Sequence, residues 1–128
     1  MSAVIVGRAL SALAILFLAF DTVVKLVQAP VVAETLGSLG YSADLGLTIG
    51  IVELVCLVLY ALPRTAVLGA ILLTALFGGG IATHIRVGSP LFTHILFGVY
   101  LGLFVWGGLY LRNERLRELL PVMRWAQE

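Results

Sequence analysis

The sequence predicts an all-α fold, a single bundle of four transmembrane helices, and three observations carry that prediction. Hydrophobic residues make up 61% of the chain and charged residues only 12%, with a mean hydropathy of +1.10. A soluble domain is about half apolar and about a quarter charged, so water is the wrong solvent for most of this surface. Four apolar stretches follow one another, each close to the ~20 residues that a spanning helix needs, and turn-forming residues separate them. The 128 residues are one domain by the length prior.

The first stretch covers about 3–28 and carries Arg8, Asp21 and Lys25. Arg8 ahead of an apolar run resembles a signal peptide, but the run reaches Phe20 and Asp21 without a small-x-small cleavage site, so a retained helix is expected. The second covers about 45–62 and is interrupted only by Glu53. The third (about 65–85) and fourth (about 90–111) contain no Asp, Glu, Lys or Arg before Arg86 and Arg112 respectively. Pro30 and the glycines at 37 and 40 mark the longest connection. The stretch from Leu62 through Pro63 and Arg64 is a tight turn, with Thr65 expected to cap the third helix. Pro90 suits the first turn of the fourth. The tail, 112–128, alternates Arg115, Arg117 and Arg124 with Leu116, Leu119, Leu120 and Trp125. It reads as an amphipathic segment on the membrane surface, interrupted by Pro121.

Arginine placement sets a direction. Arg8, Arg64, Arg112, Arg115, Arg117 and Arg124 fall on one side, six of the eight basic residues. Lys25 and Arg86 fall toward the other, with Glu34 and Asp44. The positive-inside rule therefore expects both termini in the cytoplasm, with the protein integral to the cell membrane. Trp106, Tyr110 and Trp125 at one side and Tyr41 at the other are expected to anchor at the interfaces.

With that topology, Asp21 and Glu53 lie roughly 11–12 Å below the outer helix ends, and Lys25 and His94 roughly 5–6 Å, at ~1.5 Å per residue. His84 and Arg86 lie near the rim. The ionisable residues Asp21, Lys25, Glu53, His84, Arg86 and His94 thus form the candidate ligand-binding cluster, and the inner half contributes only Arg8 and Arg64. Each such group facing lipid costs about 2.5–3.5 kcal/mol on insertion scales, so they pair or line a cavity. Asp21 and Lys25 are four apart on one helix face and can pair. Glu53 has no partner on its own helix and needs Lys25, Arg86 or a histidine, or a proton. Glu53, Asp21 and His94 are the candidates for any acid–base chemistry.

Glycine stripes at Gly46 and Gly50, and at Gly98 and Gly102, allow close helix approach beside Glu53 and His94. At Gly78, Gly79 and Gly80 either another helix packs or a ligand approaches the backbone, and packing is preferred. His84 and His94 sit at different depths on helices joined by a short loop, which argues against haem; one metal held by His84, His94 and Glu53 is geometrically possible, but hydrogen-bonded pocket histidines are the preferred reading. Cys56, the single cysteine, permits no internal disulfide and reads as a small buried hydrophobe. A net charge of +1 without a basic run argues against nucleic acid.

The run Ile49-Gly50-Ile51-Val52-Glu53-Leu54, the stretch from Leu62-Pro63-Arg64-Thr65 to Gly69-Ala70, and the loop from Gly78 through His84-Ile85-Arg86-Val87-Gly88 to Phe92 resemble the DoxX-like family of small membrane proteins. Trp106, Tyr110-Leu111-Arg112 and Leu119-Leu120-Pro121 fit as well, so the resemblance covers nearly the whole chain. It implies a four-helix bundle in a bacterial inner membrane and, through a namesake subunit of a thiosulfate:quinone oxidoreductase, an association with redox and quinone chemistry. An animal relative is thought to assist receptor assembly. The family has no firmly established catalytic residues.

Three functions follow, in order of preference. The first is an accessory protein that binds a lipophilic, quinone-like molecule in the outer polar cavity, with Arg86, His84 and His94 on the head group. The second is a membrane enzyme using Glu53 or Asp21 with a histidine as acid and base, so enzymatic activity is left open. The third is a structural or assembly protein without a ligand. Membrane lipid is the expected surrounding partner, and the glycine-rich faces suggest a homodimer.

Overall fold

In the computed structural model, which describes residues 2–120, every regular element is helical. Helix α1 spans Ala3–Leu26. The Ser2 hydroxyl oxygen accepts from the Ile5 N–H at 3.3 Å, which supplies one of the first-turn donors with a partner. Gly7, Ser11, Ala14, Leu18 and Thr22 are its buried residues. Their three-to-four-residue spacing forms one inward stripe.

Gln28 turns the chain with φ of +56°, and a short helix α2 follows over Pro30–Ser38. The sequence reading treats this stretch as a connection broken by Pro30. Proline instead occupies the first helical position, where its missing N–H costs no hydrogen bond, and Leu36 is buried beneath α2. Helix α3 runs over Leu45–Ala61 and α4 over Ala66–Val87. Thr65 occupies the N-cap position of α4 as expected, but its side chain makes no capping hydrogen bond. Its hydroxyl donates back to the Leu59 carbonyl at 2.7 Å, tying the tight turn to the helix it leaves.

Gly88, with φ of +72°, closes α4 in the left-handed region, the usual use of glycine after a helix. The expected fourth helix begins as a π-helical turn, Leu91–Ile95, and continues as α5 over Phe97–Arg112. The Asn113 side chain accepts from the Leu116 N–H at 3.1 Å and starts α6, Glu114–Leu119. Pro121, Arg124 and Trp125 of the amphipathic tail lie outside the described residues.

Helices α1 and α4, and the rod Leu91–Arg112, are long and apolar enough to cross a membrane; α3, at 17 residues, is apolar but shorter. Leu16, Phe20 and Phe92 are each about 70% exposed (69%, 70% and 72%), a surface suited to lipid rather than water. The arrangement is that of a helical membrane bundle.

The four long elements form a ring. Helix α1 packs on α3 and α5, and α4 packs on the same two. Gly7 and Gly108 let α1 and α5 meet backbone to backbone: a Cβ on Gly7 would stand 2.7 Å from the Gly108 carbonyl oxygen. Gly69 does the same for α4 against Tyr60. By contrast, Gly78, Gly79 and Gly80 have nothing within 4 Å, so the packing expected there is not made within the described chain.

Near the termini the core is polar. The Tyr60 hydroxyl donates to the Val105 carbonyl at 2.7 Å and lies 2.8 Å from Ser11 Oγ. Arg112 Nε donates to Ser11 at 3.2 Å, and its guanidinium stands 5.9 Å from the Tyr60 ring centroid. By sequence Arg112 opens the amphipathic tail; the fold instead brings it, in the last turn of α5, against α1. Trp106 likewise differs from a free interfacial anchor, because its Nε1 donates to Thr74 Oγ1 of α4 at 2.6 Å.

Candidate functional site

At the end of the bundle away from the termini, α1 and α3 run antiparallel with Lys25 and Leu26 opposite Gly50. Gly50 lacks the side chain that would collide with Lys25 Cβ at 2.9 Å. The lysine stem can therefore lie across α3 and reach Glu53, one turn further down. Lys25 Nζ donates to Asp21 on its own helix and to Glu53 Oε2 at 2.7 Å. One ammonium thus bridges two carboxylates; of the partners the sequence left open for Glu53, the fold supplies Lys25 rather than Arg86 or a histidine.

The three differ in environment. The Glu53 side chain is 2% exposed, that of Lys25 24% and that of Asp21 39%. Glu53 is therefore the charge held out of solvent, and Asp21 is its outer companion. Glu53 Oε1 and Thr22 Oγ1 are buried without a hydrogen-bond partner among the described residues. A buried acceptor left this way costs about 1–3 kcal/mol, so Oε1 marks a place where a donor would be stabilising.

Above the triad is a cleft of about 260 Å³ between the end of α1, α2 and the start of α3. Lys25, Gln28 and Asp44 supply its polar groups, and Ala29, Val32 and Leu47 its apolar wall. Gln28 takes its left-handed conformation here, where a residue with a Cβ pays about 1–2 kcal/mol. The Ser42 hydroxyl donates to Asp44 and, with a backbone N–H, holds that carboxyl below the usual carboxylate range. Of these cleft residues the sequence singles out Lys25 alone as a site candidate, because the rest of the wall depends on α2. Pro30 in a first-turn position, followed by apolar Val32 and Leu36, was the available signal.

The remaining candidates are placed elsewhere. Arg86 Nη2 donates to the Leu39 carbonyl at 2.5 Å, and the Tyr41 hydroxyl meets Thr83 Oγ1 at 2.8 Å. Together they strap the loop between α2 and α3 onto α4. His84 and His94 lie against each other with ring centroids 5.5 Å apart. The six residues of the expected cluster are thus three groups: the triad, the arginine strap and the histidine pair. Cys56 is buried and free, as expected of a small core residue. A second cleft, about 300 Å³, is lined by Phe17, Phe97, Tyr100 and Phe104 between α1 and α5 and is almost wholly apolar.

The triad offers a buried carboxylate, a tethered ammonium and an adjoining half-polar cleft. That set can hydrogen-bond a neutral or cationic head group and disfavours an anion, since carboxylates outnumber the ammonium. The sequence model of the DoxX-like family matches residues 9–108, and the chain belongs to that family. No curated protein and no solved structure matches it.

Proposed function

We propose that this member of the DoxX-like family is a membrane-embedded binding protein for a neutral lipophilic molecule with a polar head, quinone-like in chemistry, in a redox-associated accessory role. The observation that carries the reading is the cleft beside Lys25, which joins a charged floor to an apolar wall. Lys25 has three N–H donors and gives two to Asp21 and Glu53, leaving one for a carbonyl of the head group. The Gln28 amide offers a further donor and an acceptor. Val32 and Leu47 cover the start of the tail, which continues into lipid. The cleft is close to the lower end of ordinary ligand sites, about 300–1,000 Å³, so it holds a head group rather than a whole isoprenoid molecule.

In this reading α3 is the fourth span, its 17 residues reaching about 25 Å, and both termini are cytoplasmic in the cell membrane. Reporter fusions at each end test that placement. Arg86 serves the site indirectly by fixing the loop that follows α2. The histidines, displaced from the triad, drop out of the head-group contacts.

Small molecules co-purifying from native membranes provide the test. Solvent extracts of the protein should contain an isoprenoid quinone in near-stoichiometric amount by mass spectrometry, and Ala33→Trp, which fills the cleft from α2, should lose it while remaining folded. Equal quinone in both preparations would sink the assignment. A second reading, that the triad is only a strut between α1 and α3, is favoured by Lys25 bridging the two helices. It gains if no lipophile is recovered and Lys25 variants change stability alone.

A further inference from the structure

Away from the cleft, His84 and His94 form a second site whose geometry the sequence spacing did not disclose. His84 lies in the last turn of α4, and the left-handed turn at Gly88 folds Ser89 back, so that the Ser89 N–H donates to the His84 carbonyl at 3.0 Å. The π-turn that follows adds a residue to the first coil: the Ile95 N–H bonds Pro90 and the Leu96 N–H bonds Leu91. Isolated π-turns are rare and recur at functional sites. Here the turn carries His94 to the His84 ring, although helical counting places the two at different depths.

We infer that this histidine pair binds a borderline divalent transition-metal ion, Cu²⁺ ahead of Zn²⁺. His84 Nδ1 lies 2.9 Å from Ser89 Oγ and His94 Nδ1 lies 2.7 Å from Thr93 Oγ1. With each Nδ1–H donating to its hydroxyl, each Nε2 keeps its lone pair for a metal, which is the outer-shell pattern of ligating histidines. Distance agrees. A metal about 2.0–2.1 Å from a ring nitrogen is about 3.2 Å from the ring centroid, so two ligating rings stand about 5.2 Å apart at a tetrahedral angle and about 6.4 Å apart when opposed. The observed 5.5 Å falls within that interval. No third His, Cys, Asp or Glu joins them among the described residues, so the other positions fall to water. Two neutral imidazoles without thiolate suit Cu²⁺, Ni²⁺ and Zn²⁺, and the stability order puts Cu²⁺ first.

The test uses the full chain, purified without a histidine tag and placed in lipid nanodiscs. Cu²⁺ alone should bind in one equivalent with electron paramagnetic hyperfine structure from two nitrogens, and Zn²⁺ should compete for the same site only in large excess. His84→Ala and His94→Ala should each abolish the two-nitrogen signal, and Ser89→Ala should weaken binding about tenfold by releasing the His84 ring. On the unmodified chain, Zn²⁺ should protect both histidines together from diethylpyrocarbonate. That readout holds even if a variant fails to fold. Undiminished binding in His84→Ala with His94→Ala, a one-nitrogen signal, or protection of neither ring overturns the inference.

Discussion

Replacing Lys25 with Met removes the ammonium while keeping much of the stem's volume, and the structure sets the size of the effect. Glu53 would be left 2% exposed with both oxygens lacking a partner among the described residues, because Oε1 already has none. Breaking a buried ion pair by removing one member costs about 3–5 kcal/mol. The Lys25 side chain is 24% exposed, which favours the lower end, about 3 kcal/mol. Asp21, at 39% exposure, is closer to a surface pair, and Asp21→Asn should cost about 1 kcal/mol or less. Glu53→Leu leaves Lys25 paired with Asp21 and should cost little more. The double variant Lys25→Met with Glu53→Leu removes both members of the buried pair and should recover most of the Lys25→Met loss. Reversible unfolding in mixed micelles with increasing dodecyl sulfate measures all four proteins. A coupling of about 3 kcal/mol between positions 25 and 53 is expected. A coupling within ~0.5 kcal/mol, the range seen for independent sites, or a Lys25→Met loss no larger than that of Asp21→Asn, would refute the reasoning.

Gly69→Ala should destabilise by ~1–3 kcal/mol or more, because the added Cβ falls on the Tyr60 backbone; Gly79→Ala meets open space and should stabilise by about 1 kcal/mol, as the same unfolding series would record. Should Gly79→Ala instead destabilise and lower the oligomeric mass, the glycine face is covered by a second copy. Tyr60→Phe removes the hydroxyl shared by Ser11 and Val105 and should cost about 1–3 kcal/mol, visible as a lower melting temperature with the bundle intact. Ser42→Ala should bring the Asp44 titration up toward the ordinary carboxylate range, read by carboxyl NMR. Since the folded value is depressed, the favourable contribution is present at neutral pH and lost as pH falls through that value.

How much was legible follows from which interactions are local. Apolar length and breaker residues place the four long helical elements within a few residues, because a long apolar stretch announces itself in composition. The Asp21–Lys25 pair was readable from i,i+4 spacing, and Glu53 from the absence of a partner on its own helix. Helix α2 was missed because nine residues starting at proline look like a linker when burial of Leu36 is unknown. The histidine pair was hidden by the π-turn, which changes the residue-to-rise relation that depth counting assumes. Arg112 was read with the tail, since its bond to Ser11 joins residues 101 apart. Interactions set by tertiary closeness leave no periodic trace.

Photo-crosslinking shows whether the cleft beside Lys25 holds the head of a lipophilic molecule. A quinone carrying a photoreactive group on its ring, added to the protein in native-lipid nanodiscs, should label the peptide spanning positions 25–47, with competition by unlabelled quinone and loss of label in Ala33→Trp. Labelling confined to the aromatic cleft of Phe17 and Phe97, or label that excess quinone does not compete, would mean that the head group does not sit beside Lys25.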